Sequence, residues 1–385
     1  MPSRLSNNRY LFLLVFSQFA GTSLWFAGNA IIEQLSVTDA GATITSFVQF
    51  GFIAGTLLFS LLTIADRFPA KKVFFFSSLL AAVANALIIL FYQDAAAIKL
   101  LRFITGFFLA GIYPVGMKIA ADVFPQKLGK ALGWLVGALV LGTSFPHFVR
   151  SRLDGIHWEA VVATTSLLAF AGGVVILLFI PSTAKHSLRA RPDFSAAISV
   201  FRNPPFRSAA FGYFGHMWEL YAFWSILPLL FGYYNSVTQT GTNVFWWSFL
   251  VIGSGSAGCI FGGLLSQRLG SQKVAATALL LSGLCCLLFP LLFYTNSIIL
   301  FSLMLVWGFT VTADSPQFSA LVAKAAPDKN RGTALTIVTS IGFAITIVSI
   351  LLLKELFLLY KEKALWLLAP GPFCGLLALR KKRLA

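Results

Sequence analysis

Long apolar stretches separated by short polar runs set the pattern of this 385-residue chain. At about 1.5 Å per residue, some 20 apolar residues carry a helix across the hydrocarbon core of a bilayer. That ruler predicts twelve spanning helices, at 10–32, 43–65, 72–92, 97–121, 129–149, 158–181, 208–231, 243–266, 273–293, 296–321, 332–354 and 363–380. The segment 182–207 is the long polar interruption. It carries Lys185, Arg189, Arg191, Arg202 and Arg207, and Pro192, Pro204 and Pro205 break helix continuity there. The expected fold is all-α and integral to the membrane. An N-terminal six-helix bundle occupies 1–181, a cytoplasmic linker 182–207 and a C-terminal six-helix bundle 208–385.

The polar runs repeat. Asp66-Arg67-Phe68-Pro69-Ala70-Lys71-Lys72 returns as Gln267-Arg268-Leu269-Gly270-Ser271-Gln272-Lys273, an offset of 201 between Asp66 and Gln267. Pro125-Gln126-Lys127-Leu128-Gly129-Lys130 returns as Pro327-Asp328-Lys329-Asn330-Arg331-Gly332 at almost the same offset. Two markers at one spacing in an apolar chain mean a duplicated, pseudo-symmetric bundle, an architecture found mainly in secondary transporters.

Composition narrows the class. Hydrophobic residues make up 58% and charged residues 11%, against about 25% charged in soluble domains. The net charge of +16 does not point to nucleic acid, because most Lys and Arg fall in the termini and in alternate loops. That is the positive-inside bias, and it places both termini in the cytoplasm. The 11–12 loop departs from it, with Lys354, Lys361 and Lys363 facing out, partly offset by Glu355 and Glu362. Arg4 and Arg9 precede an apolar stretch without a small-residue cleavage site, so the first stretch reads as a retained span. Cys259, Cys285, Cys286 and Cys374 lie in apolar segments without metal-ligand spacing. Without a P-loop, H-E-x-x-H, G-x-S-x-G or Rossmann fingerprint, neither cofactor nor metal nor ATP-driven chemistry is expected. An ion or substrate gradient must then supply the energy.

These features resemble the major facilitator superfamily over essentially the whole chain. Its loop signature is G-x-L-x-D-R-x-G-R-K-like. Gly263-Leu264-Leu265-Ser266-Gln267-Arg268-Leu269-Gly270 keeps the glycines and the Arg but has Gln267 for the Asp, whereas the first copy keeps Asp66-Arg67 and has Leu62 and Pro69 where glycines are usual. The resemblance implies a cytoplasmic gate latch built on Asp66, Arg67 and Arg268; a topogenic basic turn is the plainer alternative. Arg102-Phe103-Ile104-Thr105-Gly106 matches the family's R-x-x-x-G in span 4. Gly137 to Pro146 resembles its span-5 antiporter run with the proline displaced by three, which favours import or symport. Ser23-Leu24-Trp25-Phe26, Tyr113-Pro114-Val115-Gly116-Met117-Lys118 and Phe214-Gly215-His216-Met217-Trp218-Glu219 are similar to a bacterial branch often labelled nitrate- or cyanate-transporter-like.

An ionisable group at membrane depth needs an explanation. Among the acidic residues only Glu219 and Asp314 fall well inside spans. Glu219 sits mid-span with His216 one turn earlier on the same face. The two form either a proton-coupling pair, since a carboxyl and an imidazole out of water can exchange a proton during a cycle, or a static buried bond. Asp314 precedes Ser315-Pro316, with Gln317 at i+3, and Pro114 stands at the equivalent place in span 4. Paired interrupted helices in corresponding places point to a transport path; a kink with a buried pair is the alternative. Arg102 could neutralise an acid, hold an anionic substrate or snorkel outward, and Lys118, with Asp122 at i+4, could bind substrate or snorkel inward. Gln18, Thr22, Trp25 and Asn29 form a polar stripe along span 1, and Tyr113 adjoins the span-4 proline.

The expected protein is a monomeric carrier in the bacterial inner membrane, working by alternating access between its halves. Proton coupling is expected through Glu219, His216 and Asp314. Arg102, Lys118, Trp25, Asn29, Tyr113 and Gln317 are the candidate substrate ligands for a small anionic or carboxylate-bearing solute. A siderophore or other polycarboxylate carrier and a drug exporter are the transport alternatives, and a polytopic membrane enzyme is the rival from another class.

Overall fold

The computed structural model describes residues 4–35, 40–124, 128–152, 157–181, 200–327 and 331–379. Linker residues 182–199, the basic run at 380–383 and parts of both Pro125 and Pro327 markers lie outside them. Every regular element among the described residues is helical. Among the described residues nine segments are long and apolar enough to cross a membrane. The last of these holds two helical runs that part at Tyr360, and the helices Arg4–Thr22 and Pro204–Thr238 stand where the first and seventh spans are expected, so the described helices accommodate the twelve expected spans.

The chain divides into two compact units, Met1–Arg191 and Pro192–Ala385. Within the first, span 2 packs on span 4, span 3 on span 6, and span 1 on spans 5 and 6. Within the second, span 8 packs on span 10, span 9 on span 12, and span 7 on spans 11 and 12. Glycines set the closest of these contacts. A Cβ on Gly106 would collide with the carbonyl of Val48, and one on Gly308 with that of Val251. The two glycines stand 202 residues apart (308 less 106), so the same glycine lets the same pair of backbones touch in both units.

Both predicted interruptions are present. Span 4 is built from Ala95–Leu109 and Tyr113–Val123, and span 10 from Ser297–Ala313 and Ser315–Ala325. Pro114 and Pro316 open the second piece of each, where a missing N–H costs least. Pro146, Pro228 and Pro290 lie inside unbroken helices, so proline alone does not mark a break.

Three expectations are corrected. Span 1 is not one helix over 10–32: the α-helix ends at Thr22, turns follow, and Asn29–Gln34 is a 3-10 run. Pro204 and Pro205 do not break a helix but begin one, Pro204–Thr238. The 11–12 loop hardly exists, since span 11 continues to Tyr360 and a 3-10 run, Lys361–Leu368, follows at once. Lys361 makes that reversal with a φ of 51°, a left-handed backbone that a single residue can adopt at a tight turn.

Candidate functional site

Each unit buries a polar node where three corresponding spans meet. In the second unit the node is Glu219. Its carboxylate accepts from the Ser282 hydroxyl at 2.9 Å and the Cys286 thiol at 3.3 Å, both on span 9, and from the Trp307 indole N–H at 2.6 Å, on span 10. Glu219 is buried, and all three donors are neutral. They satisfy its lone pairs without cancelling its charge.

The second buried acid lies at the interruption of span 10. Asp314 ends the first helical piece, and its Oδ1 lies 2.9 Å from His216 Nδ1. The atoms approach without the alignment of a hydrogen bond, and His216 Nε2 is also buried without one among the described residues. Tyr213 and Phe318 flank the imidazole with ring centroids 6.0 Å away. The expected grouping thus changes. Helical spacing puts His216 and Glu219 on one face of span 7, but His216 closes on Asp314 while Glu219 turns to spans 9 and 10.

In the first unit the node is Arg102, and its sign is opposite. The guanidinium is fully buried. It donates to Asn85 Oδ1 on span 3 at 3.0 Å and to the carbonyls of Leu24 and Trp25 on span 1 at 3.0 and 2.7 Å. Asn85 is held in turn by Thr165 and Ser166 of span 6. The break in span 1 is therefore met by a donor from elsewhere in the chain. Where the α-helix stops, carbonyls lose their partners, and a cation at a helix C-terminus satisfies them with charge of the favourable sign. Gly28 makes room, for a Cβ there would approach Arg102 Nε to 3.2 Å. The residue equivalent to Arg102 in the second unit, 202 positions on, is Met304, also buried.

The other predicted residues scatter. Because span 1 is broken, its stripe does not face one neighbour. Gln18 lies against Gly116, Thr22 reaches the carbonyl of Leu139, the Trp25 ring packs on Phe52 at 5.0 Å, and Asn29 pairs with Thr45 at 2.8 Å. Lys118 donates to the carbonyl of Ala65, so its ammonium lies beside the Asp66-Arg67 turn. Arg67 ends the short helix Ile64–Arg67, and Arg268 lies in the last turn of Val244–Leu269, both exposed. Gln317 is buried in the first turn after the span-10 break, and Tyr113 opens the second piece of span 4 half-buried.

Two buried basic residues escaped the sequence reading. His147 and Arg150 end span 5, and Gln34, with its amide oriented to suit its neighbours, accepts from Arg150 at 2.8 Å. Pro146 and the terminal position of the run concealed them. Gly142, which seats span 5 on Phe19 and Thr22 of span 1, marks a different face of the helix and gave no signal for them.

The profile of the Major Facilitator Superfamily matches residues 10–350. The chain belongs to this superfamily. It is a multi-pass membrane transporter of a small-molecule substrate and not an enzyme. Over 137 residues it is 34% identical to a Bacillus subtilis protein named as a niacin/nicotinamide transporter, a match covering 33% of this chain and 32% of that protein's length. A Haemophilus influenzae protein named as a metabolite transport protein is 25% identical over 356 residues, 84% of this chain and 81% of that one. The crystal structure of the human organic anion transporter MFSD10 superposes with a TM-score of 0.76 at 16% identity, covering 98% of this chain and 99% of that one. The superposition establishes the fold.

Proposed function

We propose that this superfamily member is a proton-coupled carrier of a small carboxylate-bearing solute, working by alternating access as a monomer in the bacterial cytoplasmic membrane, with both termini inside. The observation that carries the coupling is the state of Glu219. A buried carboxylate whose partners are all neutral donors can be neutralised in place by a proton. Asp314 and His216 offer a second proton-binding pair in the same unit. Intramembrane acids of this kind serve as proton relays in pumps and transporters.

The carboxylate reading draws support from the opposite charge of the first unit. Arg102 and Arg150 are buried there, and no acid is buried among that unit's described residues. The Bacillus relative named for niacin and nicotinamide supplies a test pair that differs in charge. Thermal unfolding of the purified full chain with nicotinate, nicotinamide, other carboxylates, sugars and cationic drugs reads the preference. Stabilisation by carboxylates and not by nicotinamide is expected; stabilisation confined to neutral or cationic compounds refutes it. In proteoliposomes, Glu219→Gln is expected to abolish pH-gradient-driven uptake of a stabilising carboxylate while leaving its exchange measurable. Gradient-driven uptake equal to that of the parent would remove Glu219 from the coupling mechanism.

A further inference from the structure

We propose that Trp307 is the positioning residue for Glu219: it holds Oε1 as an acceptor, so that the coupling proton enters and leaves on Oε2, where Ser282 receives it. This inference rests on the coupling role of Glu219 proposed above. The two carboxylate oxygens have different neighbours. Oε1 takes the Trp307 indole N–H at 2.6 Å and the Cys286 thiol at 3.3 Å, and among the described residues Oε2 takes only the Ser282 hydroxyl at 2.9 Å.

The donors also differ in kind. An indole nitrogen donates and never accepts, so a proton on Oε1 would meet an N–H head-on. A hydroxyl can do both. Ser282 has a second acceptor in reach, the Leu279 carbonyl at 3.3 Å. When Glu219 is ionised, Ser282 donates to Oε2. When Oε2 carries a proton, that O–H donates to Ser282, and the Ser282 hydroxyl swings to Leu279. No bond is left unmade in either state.

Trp307 cannot follow such a swing. Its ring is fully buried and stacked on Phe223 at 4.2 Å, one turn beyond Glu219 on span 7, with Phe289 of span 9 at 5.7 Å. The indole N–H lies 2.6 Å from Oε1, closer than either of the other donors comes to the carboxylate. The titratable groups that act on Glu219 are Cys285 and Cys286 on span 9 and Asp314 at the span-10 break, whereas His216 on its own span faces Asp314. None is a fixed cation, so the hydrogen bonds are what favours the ionised carboxylate.

The test titrates the full chain in lipid by difference infrared spectroscopy, with the proton itself as probe. The protonated Glu219 band is identified by its loss in Glu219→Gln. Trp307→Phe keeps the ring stack and removes the N–H; it is expected to half-titrate that band at about tenfold lower proton concentration than the parent. In Ser282→Ala the protonated carboxyl loses its acceptor, and its C=O stretch is expected to move to higher wavenumber. A Trp307→Phe titration that overlays the parent overturns the positioning role and leaves Glu219 in place. An unmoved C=O band in Ser282→Ala overturns the assignment of the proton to Oε2. A parent spectrum from which Glu219→Gln removes no titrating band overturns the coupling reading itself.

Discussion

Replacing Arg102 by methionine asks how much of span 1's shape is imposed from span 4. Methionine is the residue that the second unit carries, buried, at the equivalent position 304, so volume is not the obstacle. Three buried acceptors lose the guanidinium: Asn85 Oδ1, the carbonyl of Trp25 and the carbonyl of Leu24, which also accepts from the Ala27 N–H at 3.4 Å. Each such loss costs about 1–3 kcal/mol. Removing a buried cation returns several kcal/mol of desolvation, which leaves a net destabilisation of about 3 kcal/mol. For a unit of this size that lowers the unfolding midpoint by about 6–12 °C. The assay is thermal unfolding of the purified full chain, followed by intrinsic fluorescence. Arg102→Lys keeps the charge but not the planar fork and is expected to fall between parent and Arg102→Met. Asn85→Ala added to Arg102→Met should cost less than Asn85→Ala alone, because the bond it breaks is already gone. A midpoint within 2 °C of the parent for Arg102→Met, or full additivity with Asn85→Ala, would refute the clamp.

Other predictions follow from the packing and from the second acid. Gly106→Leu and Gly308→Leu should each sharply reduce the yield of monodisperse protein, since the side chain must displace a facing backbone carbonyl. Gly232→Ala, whose Cβ meets nothing within 4 Å, should leave yield and unfolding midpoint at or slightly above the parent's; equal behaviour of the three would undercut the packing argument. Asp314→Asn removes the charge facing His216 at 2.9 Å without changing its size. It is expected to weaken pH-gradient-driven uptake while preserving exchange, and parental uptake at every pH would exclude the pair from coupling.

Much of the architecture was readable along the chain because a bilayer imposes one length and one polarity on every span. The twelve apolar stretches and the breaks near Pro114 and Pro316 all appear in the structure. The choice of Glu219 and Asp314 was readable for the same reason, since a carboxylate in a span stands out against an apolar background. Their partners were not. Spacing along one helix put His216 with Glu219, but hydrogen bonds form across helices, and Trp307, Ser282 and Cys286 look like ordinary span residues until spans 7, 9 and 10 are brought together. The break in span 1 gave no local warning for a related reason. Its polar stripe has perfect helical spacing and no proline, and the donor that meets its freed carbonyls is Arg102, 77 residues beyond Trp25.

The sequence by itself determined that the chain spans a membrane twelve times, that it is a duplication, and that the two acids well inside its spans lie in one half and Arg102 in the other. Transfer of apolar residues from water to hydrocarbon and the cost of a buried charge act residue by residue, so their record is linear. Tertiary structure alone decided which donors hold Glu219, that Asp314 faces His216, and that Arg102 grips the backbone of span 1. Those choices are made between helices, where hydrogen bonds of 2.6–3.0 Å depend on the placement of groups far apart in the chain.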